Sequence, residues 1–238
     1  MMKTIALVDS RISEECSHEL SRRGFSVLKL PPHERLSPPL ASHTDMLAFH
    51  IENTLLFPQD YLEKNPEIEA FIKRARPDIK ILGTATVPSA EYPHDAVMNA
   101  LVTKRSVFAK TDSVCPDILA LAKSLGYEVR SVKQGYPACT ALALGGVAVT
   151  ADEGMRRALE VGGVRVYKIS GKNIALPPYE YGFIGGACGV FEKTVYFLGD
   201  LEAHPDAPII KEAISEAGCA FVSLSGGGLV DLGGILFI

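Results

Sequence analysis

Residues 139–169 read CTALALGGVAVTADEGMRRALEVGGVRVYKI. Two short apolar runs flank Gly145-Gly146, a pair that favours a tight hairpin turn because glycine accepts positive φ without strain. Asp152 follows the second run and suits a helix N-cap, where its side chain accepts from an otherwise unpaired backbone N–H. An amphipathic stretch comes next, then glycine, then the apolar-polar run VRVYKI. The stretch therefore predicts strand, strand, helix, strand.

The same formula occurs four more times. Residues 4–30, TIALVDSRISEECSHELSRRGFSVLKL, give strand, Asp9, Ser13 as a cap, a helix ended by Gly24, and a strand. Residues 45–84 place Glu52-Asn53 at the hairpin turn and Asp60 after it. Residues 99–132 place Lys104-Arg105 at the turn, Asp112 after it and Gly126 at the helix end. Residues 188–224 place Glu192-Lys193 at the turn, Asp200 after it and Gly218 at the helix end. The five aspartates recur every 40 to 52 residues, a period expected of radial or solenoid arrays. They read as helix caps.

The first copy lacks its leading strand, and the terminal DLGGILFI (231–238) offers a strand without a helix. Joining the two closes a ring and removes the exposed edges that an open array would leave. The expected units are 231–238 with 1–42, then 43–96, 97–138, 139–184 and 185–230, within one domain spanning 1–238. A dinucleotide-binding sheet is disfavoured. Its glycine fingerprint belongs after the first strand, where the sequence has VDSRIS.

Composition excludes other classes. The 238 residues are 47% hydrophobic and carry a net charge of −4, without a basic stripe of the kind that grips phosphates, so nucleic acid is not an expected partner. No run approaches the roughly 18 apolar residues that suggest a membrane span, and MMKTIALVDSRISEE does not read as a signal peptide. Five scattered cysteines, without a CxxC pair, fit free thiols in a reducing cytoplasm better than a disulfide framework or a zinc site.

On these repeats the chain resembles the penteins, five-bladed ββαβ propellers of the α/β class. That group includes arginine and agmatine deiminases, dimethylarginine dimethylaminohydrolases, amidinotransferases and a non-catalytic ribosome-binding branch. The short motifs that carry the likeness are His43-Thr44-Asp45 and the run Gly226-Gly227-Gly228-Leu229-Val230-Asp231. The latter looks like the lead-in to the family's nucleophilic cysteine, but Asp231 stands in that place. Aligning the five leading strands brings His43, Asp45, Asn99, Cys139, Cys188 and Asp231 to the axis. His43 and Asp45, two apart on a strand, should share a face.

Counted around the ring from Cys139, an acid (Asp231) falls two blades on and His43 three blades on. This is the order the resemblance implies for a nucleophile, an acid and a histidine, with the chain circularly shifted. One blade after Cys139, where an acidic clamp is expected, the chain has Gly186, Ala187 and Cys188.

These residues suit attack on an amidine or guanidinium carbon. Only a thiolate is nucleophilic enough, and a bound cation or a protonated His43 lowers the thiol pKa. Carboxylates hold the planar N–H fork; Asp231 and Asp45 suit that role, though Asp45 has the alternative of orienting His43. His43 serves as acid and base. The expected site is Cys139, His43 and Asp231 for catalysis, with Asp45, Asn99 and Cys188 against the substrate, and no metal or organic cofactor. The competing readings are a pentein that only binds a small ligand or a protein or ribosomal partner, and a structural protein without a site. The Pro-rich loops 33–43 and 87–97 are candidates to cover a pocket.

Overall fold

The computed structural model describes residues 3–238. Its strands form five three-stranded sheets. Blade one holds β1 (Ile5–Asp9) and β2 (Ser26–Leu30). Blade two holds β3 (Phe49–Ile51), β4 (Thr54–Pro58) and β5 (Lys80–Thr84). Blade three holds β6 (Leu101–Val102), β7 (Ser106–Ala109) and β8 (Glu128–Ser131). Blade four holds β9 (Ala141–Leu144), β10 (Val147–Thr150) and β11 (Arg165–Lys168). Blade five holds β12 (Cys188–Phe191), β13 (Thr194–Phe197) and β14 (Ala220–Ser223).

The hairpins fall where the sequence puts them. Ile51 pairs Thr54, Leu144 pairs Val147 and Phe191 pairs Thr194, each around a two-residue turn. Thr103 N–H donates to Ser106 O around Lys104-Arg105. In every blade a helical connection then returns the chain to a strand parallel to the middle one. The helix over Glu153–Val161 shows why: Asp152 accepts from Met155 N–H, and Met155 and Leu159, one turn apart, bury the inward face.

The ends of the chain complete blade one. β15 (Leu236–Phe237) pairs antiparallel with β1, Ala6 against Phe237 and Leu7 against Leu236. Ile5 and Ile238 exchange backbone hydrogen bonds at 2.8 and 3.0 Å beyond the strand.

The core is divided into five wedges, each between neighbouring blades. Middle strands alternate their side chains between two wedges, as the two-residue period of a strand requires. Ile5 and Leu7 enter the wedge shared with blade two, and Ala6 and Val8 the wedge shared with blade five. Leu56 meets Val107 between blades two and three, Phe108 meets Ala148 between three and four, and Val149 meets Val195 between four and five. The cycle of wedges closes the ring, and it explains why the middle strands read as unbroken apolar runs.

The five recurring aspartates do not share one role. Asp152 caps its helix, and Asp200 accepts from Glu202 N–H at a short 3-10 turn. Ser13 caps the first helix by accepting from Cys16 N–H, which frees Asp9 for other contacts. Asp60 lies inside the helix Gln59–Lys64, and Asp112 pairs with Lys110 at the surface. Among the described residues, no helix is long and apolar enough to cross a membrane.

Candidate active site

The first strands of all five blades, β3, β6, β9, β12 and β15, line an axial cavity of about 360 Å³. The segments just ahead of those strands build a second cavity of about 330 Å³, which His43, Cys139 and Asp231 line together. Asp45 lines the first cavity and Cys139 the second, and the two side chains touch: Cys139 Sγ donates to Asp45 Oδ2 at 2.5 Å.

Cys139 does not open a strand. It sits on a single helical turn, Pro137–Thr140, immediately before β9. Pro137 occupies the first helical position, where its missing N–H costs nothing. Asn99 braces the turn from blade three: its Oδ1 accepts from Ala138 N–H at 2.8 Å, and its Nδ2 lies 3.6 Å from Cys139 Sγ. The thiol is buried, and burial pushes its pKa well above the usual value, with Asp45 and Asp231 adding to the effect. In the unliganded protein Cys139 is a neutral thiol rather than a standing thiolate.

His43 and Asp45 do not lie on one face of a strand. Thr44–Leu47 is a helical turn with His43 at its N-cap, so residues two apart point to nearly opposite sides. His43 turns into the pocket with Asp231, while Asp45 turns under Cys139 to the axial cavity. Burial raises the Asp45 carboxyl to about 7 against the pull of the His43 charge. Its Oδ1 is buried without a hydrogen-bond partner.

His43 is wholly buried between two carboxylates. Nε2 lies 3.4 Å from Asp231 Oδ1 and Nδ1 lies 3.3 Å from Asp9 Oδ2. Burial opposes the imidazolium, but the two acids prevail and the pKa rises to about 9. At neutral pH the ring is therefore a cation with a proton to give. Asp231 is itself fixed by the backbone, accepting from Phe183 N–H at 2.8 Å and Gly233 N–H at 3.0 Å. A Cβ on Gly186 would fall on the Asp231 carboxylate, so that position admits only glycine without a shift.

The sequence reading missed Asp9 and Arg11. Asp9 is buried at the end of β1, where Arg11 donates to it from Nε at 2.9 Å and from Nη2 at 2.6 Å. Burial favours the neutral acid, yet Arg11 and His43 hold its pKa below the ordinary value. Arg11 Nη2 also stands 3.1 Å from His43 Nδ1. A signal was available: of the five recurring aspartates, only Asp9 has an arginine two residues on. Also missed was the segment between β11 and β12. Leu176, Tyr179, Glu180, Tyr181 and Phe183 from it form much of the pocket wall, facing Tyr136. Of the two Pro-rich loops, 33–43 contributes Leu40 and His43, and 87–97 packs Tyr92 at a tilt against the wall residue Tyr136, ring centroids 5.5 Å apart.

Cys188 is not brought to the pocket. It lines the axial cavity, and its thiol donates to Ile184 O at 3.1 Å. Among the described residues, no group of three or more His, Cys, Asp or Glu side chains is placed to hold a metal ion.

The sequence matches, over residues 7–236, a family of unknown function (DUF6873). The chain belongs to this family. No curated protein matches by sequence. Solved structures that resemble it include the DDAH of Pseudomonas aeruginosa in complex with citrulline, at 12% identity and a TM-score of 0.60, with all of both chains covered. The agmatine deiminase of C. jejuni matches at 7% identity and a TM-score of 0.58, covering 99% of this chain and 93% of that one. An amidinotransferase of the saxitoxin pathway of Microseira wollei matches at 11% identity and a TM-score of 0.55, covering 94% and 89%. The fold is that of the penteins.

Proposed function

We propose that this protein is a cysteine-dependent hydrolase or transferase acting on a small amidine or guanidine. The observation that carries the reading is that Cys139, hydrogen-bonded to Asp45, lines one cavity together with His43 and Asp231. The similarity in fold to enzymes named for guanidino chemistry supports it.

The chemistry follows from the charges. A planar cation entering beside Cys139 offsets the surrounding carboxylates, so the thiol proton passes to Asp45 and the thiolate adds to the electrophilic carbon. Asp231 takes the N–H fork of the cation. His43, already protonated, gives its proton to the departing amine as the carbon–nitrogen bond breaks. The neutral imidazole then takes a proton from water, which attacks the S-linked carbon; collapse expels the Cys139 thiolate, which recovers the proton held on Asp45. An amine in place of water gives transfer. A second reading is a binding protein with an inert thiol, favoured by the raised pKa of Cys139 and by Cys188 standing where an acid was expected.

The two readings separate by alkylation at pH 7 with peptide mapping. The cationic 2-chloroacetamidine should label Cys139 alone, and faster than neutral iodoacetamide does, because only the cation lowers the thiol pKa. Iodoacetamide should leave the buried thiol nearly untouched in the folded protein. Equal reaction of all thiols with both reagents, or none at Cys139, would remove the enzymatic reading.

A further inference from the structure

We infer that the pocket takes a cationic amidine whose substituent is apolar and uncharged, and that it excludes the carboxylate-bearing amino-acid type of guanidine. This deepens the proposed function and rests on it.

The wall of the pocket, rather than its reacting groups, sets this preference. Beyond His43, Cys139 and Asp231 the pocket is lined by leucine, methionine and aromatic side chains, with Glu180 as the remaining charge. Among the described residues, no lysine or arginine lines it. The guanidinium beside the site, on Arg11, is engaged by Asp9 and by the carbonyls of Pro38 and Pro39. A substrate carboxylate would enter a space holding Asp231 and Glu180, where the buried His43 cation is already engaged by Asp231 and Asp9, which combines desolvation with like-charge repulsion.

An apolar stem meets a matching surface. Leu40, Met46 and Leu176 are buried around it, while Tyr179 and Tyr181 stand exposed at the mouth. Exposed aromatic rings on a pocket rim leave apolar area for a ligand to cover. Tyr181 and Phe183 stack edge to face, with centroids 6.2 Å apart, and so hold the wall without filling the space. The segment that carries these residues joins β11 to β12 across the mouth, and Ala175 and Asp231 tie it to the site: Asp231 N–H donates to Ala175 O at 2.9 Å.

The test compares three alkylating amidines with one reactive group: 2-chloroacetamidine, its N-pentyl derivative and its N-(4-carboxybutyl) derivative. The rate of Cys139 labelling is followed by mass spectrometry. The pentyl compound should react faster than the parent, and the carboxylate compound slower than the pentyl by roughly tenfold or more. Glu180→Lys should narrow that gap. Equal rates for the three, or preference for the carboxylate, would overturn the inference while leaving the proposed function intact. Failure of the parent compound itself to label Cys139 would overturn both.

Discussion

Cys139 and Cys188 mark the inner strands of neighbouring blades: Cys188 opens β12, and Cys139 stands two residues ahead of β9. Each is a buried free thiol, and burial raises the pKa of both. They differ in what surrounds the sulfur. Cys188 meets a backbone carbonyl and a cavity lined by strand edges. Cys139 meets a carboxylate, an amide and a cavity shared with an imidazole. The fold supplies five equivalent stations around an axis. A station becomes chemically useful when its neighbours from other blades supply a base, a donor and an opening.

The largest test of that contrast is substitution of each thiol. Cys139→Ser should lower turnover of an accepted amidine by on the order of 10⁴-fold or more, because a hydroxyl there lacks the nucleophilicity of a thiolate. Cys188→Ser should stay within a few-fold. Similar losses at both positions would erase the distinction.

His43→Gln removes the proton donor from one station and leaves the other as it is. Turnover should fall by about 10²- to 10⁴-fold. Labelling of Cys139 by 2-chloroacetamidine should persist, since that reaction needs no protonated leaving amine. Loss of labelling together with turnover would mean that His43 only supports the fold.

The charges around Cys139 should also be visible in stability. The His43 pKa is raised to about 9, so its contribution is complete below the unfolded value near 6.5 and is lost as pH rises through 9. The Asp45 pKa is raised to about 7, so its contribution is likewise present at low pH and lost as pH rises through 7. Asp9, held below its ordinary value, acts in the opposite sense: its contribution is present above 3.8 and is lost as pH falls through the lower folded pKa. Thermal melts should therefore fall between pH 6.5 and 9.5, and His43→Gln should flatten much of that slope, a few kcal/mol at most. Parallel curves would contradict the two-acid setting of His43.

The smallest effect is expected at Gly186, between the two stations. Its Cβ would overlap the Asp231 carboxylate, so Gly186→Ala should cost about 1–3 kcal/mol and slow Cys139 labelling as Asp231 moves. Unchanged melting and labelling would show that Asp231 has room to adjust.

Much of the architecture was legible in the chain because its signals are local. Two-residue turns, helix caps and unbroken apolar middle strands repeat often enough to count. The meeting of His43, Cys139 and Asp231 in one cavity needed one further step, aligning the copies. The errors have physical causes. Single helical turns before β3 and β9 are too short to show a period, and so His43 and Asp45 were given one face instead of two. Asp9 looked like the other aspartates because a cap and a buried ion pair begin from the same residue type. The aromatic wall lies on a long irregular connection, where no repeat is available to guide the eye.

The five wedges carry one more implication. A linear array can fray from either end while its middle persists. Here each wedge is co-owned by two blades and the circuit has no free end, so opening any one of them exposes apolar surface on both sides of the gap. Denaturation should accordingly be a single transition, and the capacity to react with an amidine should vanish along the same curve as the fluorescence of the buried tyrosines.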